Sequence, residues 1–310
     1  MPTFPSVSKE QWLAKVTKDL RGKPLAELNH TVAGQELTPF HHADDRPTAP
    51  APVVSPRTTP CGIGVAIPAG DPVATNKLIL DQLNKGANAL FLYADNHDPA
   101  ARLDDYLAGV YREIIDVYVM HGDDHRSLDY QLFTAHNDDE DTDEVPLSAC
   151  GEMLRQFERT IADGAPAKPP AFWLPVNDHY LTNVALLRAF RLCYRQLARA
   201  YDSTVPCHLI ADPFTRLADK YGGMISTTAI TMSAVIGGAD LVFVPHGEAT
   251  DAREETFLRR VALNSMNILH HEAHLDRVAD PAAGSYYLEE LTDRLARSIW
   301  SAFKQQRSTP

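Results

Sequence analysis

His270-His271-Glu272-Ala273-His274 places His270 and His274 one helical turn apart, the spacing at which two imidazoles on one helix face could share a metal ion. The run is one residue short of the H-E-x-x-H pattern and brings no obvious third ligand, so it reads as a polar helix end and no metal site is expected. The acidic run 137–144, Asn-Asp-Asp-Glu-Asp-Thr-Asp-Glu, lacks the glycine and the distal glutamate of a calcium loop and reads as a solvated acidic loop. Gly62-Ile63-Gly64 has no third glycine at the offset of a phosphate loop, which favours small residues in a tightly packed strand. More promising are polar residues that follow short apolar runs: His136; Asn177, Asp178, His179 and Tyr180; Asp212; and His246. If those runs are strands of a barrel, these residues stand on the rim where barrel active sites are built, the alternative being that any barrel rim is polar because it is solvated.

The elements that would position them alternate. Runs rich in β-branched and aromatic residues at 63–67, 89–93, 114–119, 130–134, 171–174, 207–211 and 241–244 are interleaved with segments of helical period near 72–84, 99–111, 147–162, 180–201, 217–235, 251–271 and 288–304. Repeated βα units imply a parallel sheet, and 310 residues suit one α/β barrel with an extension. Seven runs leave the barrel one strand short, and the link from Val119 to Tyr130 is too short for a helical crossover. The fold expected is a TIM-type β/α barrel, shortened or degenerate, over 58–310.

Residues 1–57 read as an arm and linker. Ser8 and Gln11 form a capping box ahead of Trp12, Leu13, Val16 and Leu20, and residues 39–60 carry six prolines. The apolar helix face suggests a partner-binding element, the alternative being a plug at the amino-terminal end of the barrel. A net charge of −12 argues against nucleic acid and anionic membrane surfaces, and no apolar run is long enough to span a bilayer. The start lacks the pattern of a secretory signal, and Cys61, Cys150, Cys193 and Cys207 are spaced as buried thiols, so a cytoplasmic location is expected.

Residues 258–303 run through Glu272-Ala-His274-Leu275 to Asp280-Pro281, Gly284-Ser285-Tyr286-Tyr287 and Glu289, and resemble the closing segment of the barrel of methylmalonyl-CoA mutases. In chain order, 4–28, 71–92, 180–191 and 219–244 resemble further family segments, the first of them typical of the small subunit. The resemblance implies radical interconversion of methylmalonyl-CoA and succinyl-CoA, with CoA threaded along the barrel axis and adenosylcobalamin on a separate C-terminal domain. Nothing in the sequence up to Pro310 resembles that domain, so no cofactor is expected on this chain and adenosylcobalamin is expected on a partner.

Carried over residue by residue, the family's first-strand tyrosine falls on Ala66 or Ile67, and its glutamine falls on an apolar position within 208–212. Its arginine-bearing segment falls in the shortened stretch, and only His136 resembles a family histidine. Within 180–191 the family's glutamate and lysine are Asn183 and Leu186. The resemblance therefore implies a small, non-catalytic subunit with no catalytic residue of its own, in a heterodimer with a cobalamin-dependent large subunit. A homodimer in isolation and a retained acyl-CoA site are both compatible with it. One competing reading is an independent acyl-CoA-binding barrel enzyme that uses the polar rim; another is a catalytic half acting with a cobalamin domain on another chain.

Overall fold

The computed structural model describes residues 5–45, 53–54, 59–122, 124–134, 147–164, 166–213 and 220–308. The chain enters through helix α1 (Lys9–Asp19) and a hairpin of β1 (His30–Val32) and β2 (Gln35–Leu37). The main sheet then takes β3 (Gly62–Pro68), β4 (Ala89–Ala94), β5 (Asp116–His121), β6 (Asp124–Ser127), β7 (Gln131–Thr134), β8 (Pro170–Val176), β9 (His208–Pro213) and β10 (Leu241–Phe243). Between and after them come α2 (Pro72–Asn84), α3 (Leu103–Tyr106), α4 (Leu147–Ala162), α5 (Tyr180–Ala200), α6 (Lys220–Gly237), α7 (Ala252–His271) and α8 (Tyr286–Ser308).

All seven expected runs form strands, and an eighth joins them. The sheet order is β6-β5-β4-β3-β10-β9-β8-β7, parallel except where β6 pairs antiparallel with β5. This resolves the short link after Val119: the chain turns back at once, pairing Tyr118 with Ser127 and His121 with Asp124, and needs no crossover helix. The terminal strands of the sheet, β6 and β7, follow one another directly in the chain, and the sheet is a nearly closed barrel. The helix expected over 99–111 is broken into a 3-10 turn (Pro99–Arg102) and the four-residue α3. Arg102 leaves helical geometry at φ −129°, and Gly109 at φ +75° closes the segment.

Outside the sheet, apolar residues that alternate along each strand meet the helices. Phe172 packs on Phe133 at 5.1 Å, Phe190 at 5.0 Å and Phe157 at 5.6 Å, joining β7, β8, α4 and α5 into one core. Each such ring, taken from water, stabilises the fold by about 1.5–3 kcal/mol. None of the four cysteines is in a disulfide; Cys61, Cys150 and Cys193 are buried and Cys207 is half-buried.

The arm has two parts that differ in attachment. The capping box forms as spaced, Ser8 Oγ accepting from Gln11 N at 3.3 Å and Gln11 Oε1 from Ser8 N at 3.1 Å. Yet α1 has no buried residue, and among the described residues the aromatic neighbours of Trp12 are Phe40 (5.4 Å) and His42 (6.2 Å). The hairpin instead docks on α8. Gln35 donates to Ser298 Oγ at 2.6 Å, Arg294 to Glu36 O at 2.8 Å, His30 bonds Tyr287 Oη at 2.7 Å, and Leu37 enters the main core. The hairpin is thus part of the barrel's packing, whereas α1 buries none of its residues.

Candidate functional site

Asn177, His179, Tyr180, Asp212 and His246 stand at or beyond the carboxyl ends of β8, β9 and β10, three neighbouring strands. Asn177 Oδ1 accepts from the His179 backbone N at 3.0 Å, and Asn183 Nδ2 donates to Asn177 O at 2.6 Å, which fixes the turn into α5. Asp178 and His179 are exposed, and Tyr180 is half-buried. Asp212 accepts from Trp173 Nε1 at 2.9 Å; burial pushes its carboxyl up to about 6 against the opposing effect of that bond. His246 Nδ1 lies 3.1 Å from the Gly247 carbonyl, and burial with the nearby Arg259 charge lowers its pKa. The two recesses beside it hold about 10 Å³ each, the room of a single water. His136 and the acidic run 137–144 lie outside the described residues.

The axis of the barrel is occupied by its own side chains. Phe91, Tyr118, Trp173, Ile210 and Phe243 form a second buried cluster, with Ala66, Tyr93, Met120, Tyr130 and Leu132 around it. Trp173 stacks on Phe243 at 4.9 Å and meets Phe91 at 5.0 Å and Tyr118 at 5.5 Å. Gly64 makes this filling possible, because a Cβ there would lie 2.5 Å from the Phe243 ring. The sequence signal was available: one large aromatic on the inward row of each of four strands, opposite a glycine.

Sequence reasoning missed what Asp280 does. Arg188, fully buried, donates through Nε to Asp280 Oδ1 (2.9 Å) and through Nη2 to Asp280 Oδ2 (3.2 Å). It also reaches Glu289 Oε1 (2.7 Å) and Thr292 Oγ1 (2.8 Å). Asp280 Oδ2 accepts in addition from Val53 N at 2.6 Å, and Gly284 N donates to Glu289 at 3.1 Å. The Asp-Pro-x-x-Gly-Ser-Tyr-Tyr turn therefore holds α5, α8 and the strap residues Val53 and Val54 to one guanidinium. Asp280 adopts φ +45°, a conformation that aspartate tolerates better than most residues. The histidine run is likewise structural: His270 Nε2 lies 2.6 Å from Asp276 Oδ2, and His274 sits at φ +52° past the helix end. Among the described residues no three His, Cys, Asp or Glu side chains gather as they would around a metal ion, and no helix is long and apolar enough to cross a membrane.

These features define a β/α barrel with a closed interior, buried ionic clamps and a separately attached arm. Residues 159–309 match the family model described as methylmalonyl-CoA mutase. The chain is similar to the methylmalonyl-CoA mutase family over that stretch and resembles its small subunit along its length. It is 27% identical to the small subunit from Streptomyces virginiae, over 97% of this chain and 64% of that protein. It is also 27% identical to the small subunit from Porphyromonas gingivalis, over 97% and 63%. A probable small subunit from Mycobacterium bovis is 34% identical over 43% of this chain and 23% of its own length. The chain thus spans a little under two thirds of the first two relatives. The Streptomyces alignment runs over 396 residues, more than the chain's 310, so that relative carries additional residues inside the matched stretch. A dihydropteroate synthase from Yersinia pestis aligns at a TM-score of 0.27 and 11% identity, over 77% of this chain and 98% of its own.

Proposed function

We propose that this chain is a non-catalytic small subunit that pairs with a cobalamin-carrying large subunit of a methylmalonyl-CoA mutase and stabilises it. The observation that carries this reading is the filled axis. A barrel that threads an acyl-CoA needs an open axis, whereas here Phe91, Tyr118, Trp173 and Phe243 occupy it. Opening that path means displacing several packed rings, at about 3–5 kcal/mol for each one lost from the core.

The described residues do not fit a corrin either. His246 is engaged with Gly247 beside water-sized recesses, and Asp212 is engaged with Trp173. No step of radical chemistry is assigned to this chain. Its contribution is a rigid barrel and an arm whose helix keeps Trp12, Leu13, Val16 and Leu20 only half-buried. That apolar stripe is what a partner would cover.

The test is co-expression with a large subunit of the family, followed by turnover of methylmalonyl-CoA and calorimetry with CoA. The expected result is a stable complex, no turnover by this chain alone with adenosylcobalamin supplied, and no saturable CoA binding by this chain. Turnover or CoA binding by the isolated chain would overturn the reading in favour of an independent barrel enzyme.

A further inference from the structure

At the amino-terminal mouth of the barrel four polar groups gather, two of them buried atoms that find no hydrogen-bond partner among the described residues and two of them carboxylates. Tyr118 is 0% exposed and its hydroxyl has no hydrogen bond, and the Nε2 of half-buried His208 is buried and equally unpaired. Asp116, the first residue of β5, is half-buried, with burial and the Asp129 charge as the influences on its carboxyl. Among the described residues neither Asp116 nor Asp129 has a cationic partner. Tyr130 stands between these groups, its ring 4.5 Å from His208 and parallel to Tyr118 at 6.4 Å.

The arrangement is costly as it stands. The pairing that sets Tyr118 opposite Ser127 continues through Leu128 N donating to Val117 O at 3.2 Å, which leads Asp129 toward Asp116. Like charges brought together across a strand pair destabilise it, and buried polar atoms without partners do the same. Burial and Asp129 push Asp116 up to about 6, and burial with Asp116 and Asp129 pushes Tyr130 up to about 12. Arg191, whose charge acts on His208 together with that of Asp240, is engaged with Asp240 and with the Cys207 and Gly238 carbonyls.

A cation with directional donors would both pair the two buried atoms and offset the two carboxylate charges. A metal ion fits poorly, because no metal-holding set of three His, Cys, Asp or Glu side chains exists among the described residues. An ammonium group carries three N–H donors that reach dispersed acceptors at ordinary hydrogen-bond length, and it is attracted to an aromatic face. We propose that this mouth binds a primary ammonium group, with Asp116 and Asp129 as counter-charges, Tyr118 Oη and His208 Nε2 as acceptors and the Tyr130 ring as a wall. The group comes from a small free amine or from the tip of a lysine side chain.

The experiment uses the full 310-residue chain at constant ionic strength. Methylammonium chloride is titrated against tetramethylammonium chloride while the His208 ring resonances are followed by NMR. Saturable shifts with methylammonium are expected, at least about tenfold weaker with tetramethylammonium, which has no N–H to donate. Asp116→Asn and Tyr118→Phe should each weaken binding about tenfold or more, the first by removing a charge and the second by removing an acceptor, with little change of side-chain size. Exposed Asp129→Asn tests the same mouth without touching the core. Nα-acetyl-lysine amide beside its norleucine counterpart separates the sources: binding of the lysine compound assigns a side-chain tip, and its failure beside methylammonium binding assigns a small amine. No saturable shift with any amine, or unchanged affinity in Asp116→Asn and Asp129→Asn, would overturn the proposal.

Discussion

Replacing Arg188 with methionine is the sharpest test of how this barrel is held together. The guanidinium makes four hydrogen bonds, to Asp280 Oδ1 and Oδ2, Glu289 Oε1 and Thr292 Oγ1, and no atom of it meets solvent. Methionine fills most of the volume but leaves two buried carboxylates without a cation. Breaking a buried pair in this way costs about 3–5 kcal/mol, far more than the surface pair Lys15–Asp19 contributes. For a chain of this size that corresponds to a fall in Tm of roughly 6–10 °C, at about 2 °C per kcal/mol. Asp280→Asn separates two contributions, since asparagine tolerates the φ of +45° while removing the charge. Asp280→Ala adds about 1 kcal/mol of backbone strain to the lost bonds. Urea unfolding measures the cost, and hydrogen exchange at Val53 N, which bonds Asp280 at 2.6 Å, reports whether the strap is released. A loss below about 1 kcal/mol for Arg188→Met, with Val53 still protected, would refute the clamp argument, because an uncompensated buried charge cannot be that cheap.

Three further outcomes are expected. Gly64→Ala forces the Phe243 ring away from a 2.5 Å contact and should destabilise by about 1–3 kcal/mol, with Phe243→Leu restoring much of the loss in the double variant, measured as a coupling energy. Removing residues 1–22 takes away a helix with no buried residue, so Tm should move by no more than a few degrees while association with a large subunit is lost. Removing 1–50 also deletes Leu37 and the hairpin bonds to α8 and should destabilise the barrel itself. Asp212 has its folded pKa raised from 3.8 to about 6, so the folded state binds more protons and stability falls as pH rises from about 4 to 6. Asp212→Asn keeps an acceptor for Trp173 and should flatten that slope, gaining on the order of 1–3 kcal/mol at pH 8; urea midpoints at pH 4 and 8 that move in parallel for both proteins would contradict this.

The parts that were legible in the sequence are those in which a local pattern and its tertiary use agree. Ser8 and Gln11 cap α1 as their spacing demands, Asp71 and Pro72 open α2, and 147–162 is a helix of strong period that is one in the structure too. Elements that were missed are short and depend on a partner. Strand β6 reads Asp-His-Arg-Ser, with no β-branched residue, and exists because β5 offers an edge to pair with; β1 and β2 are three residues each, turned by Ala33 and Gly34 at positive φ. The candidate site divides along the same line. Polar residues at strand ends could be placed on the rim from sequence, since strand order and strand ends follow from the βα repeat. Their engagements could not, because Trp173 meets Asp212 and Arg188 meets Asp280 only once strands and helices far apart in the chain have packed. A family motif read without that geometry invites a catalytic role for its aspartate. With it, the buried carboxylate holds an arginine, and the residues that bear most directly on the proposed function are the uncharged rings across the barrel axis.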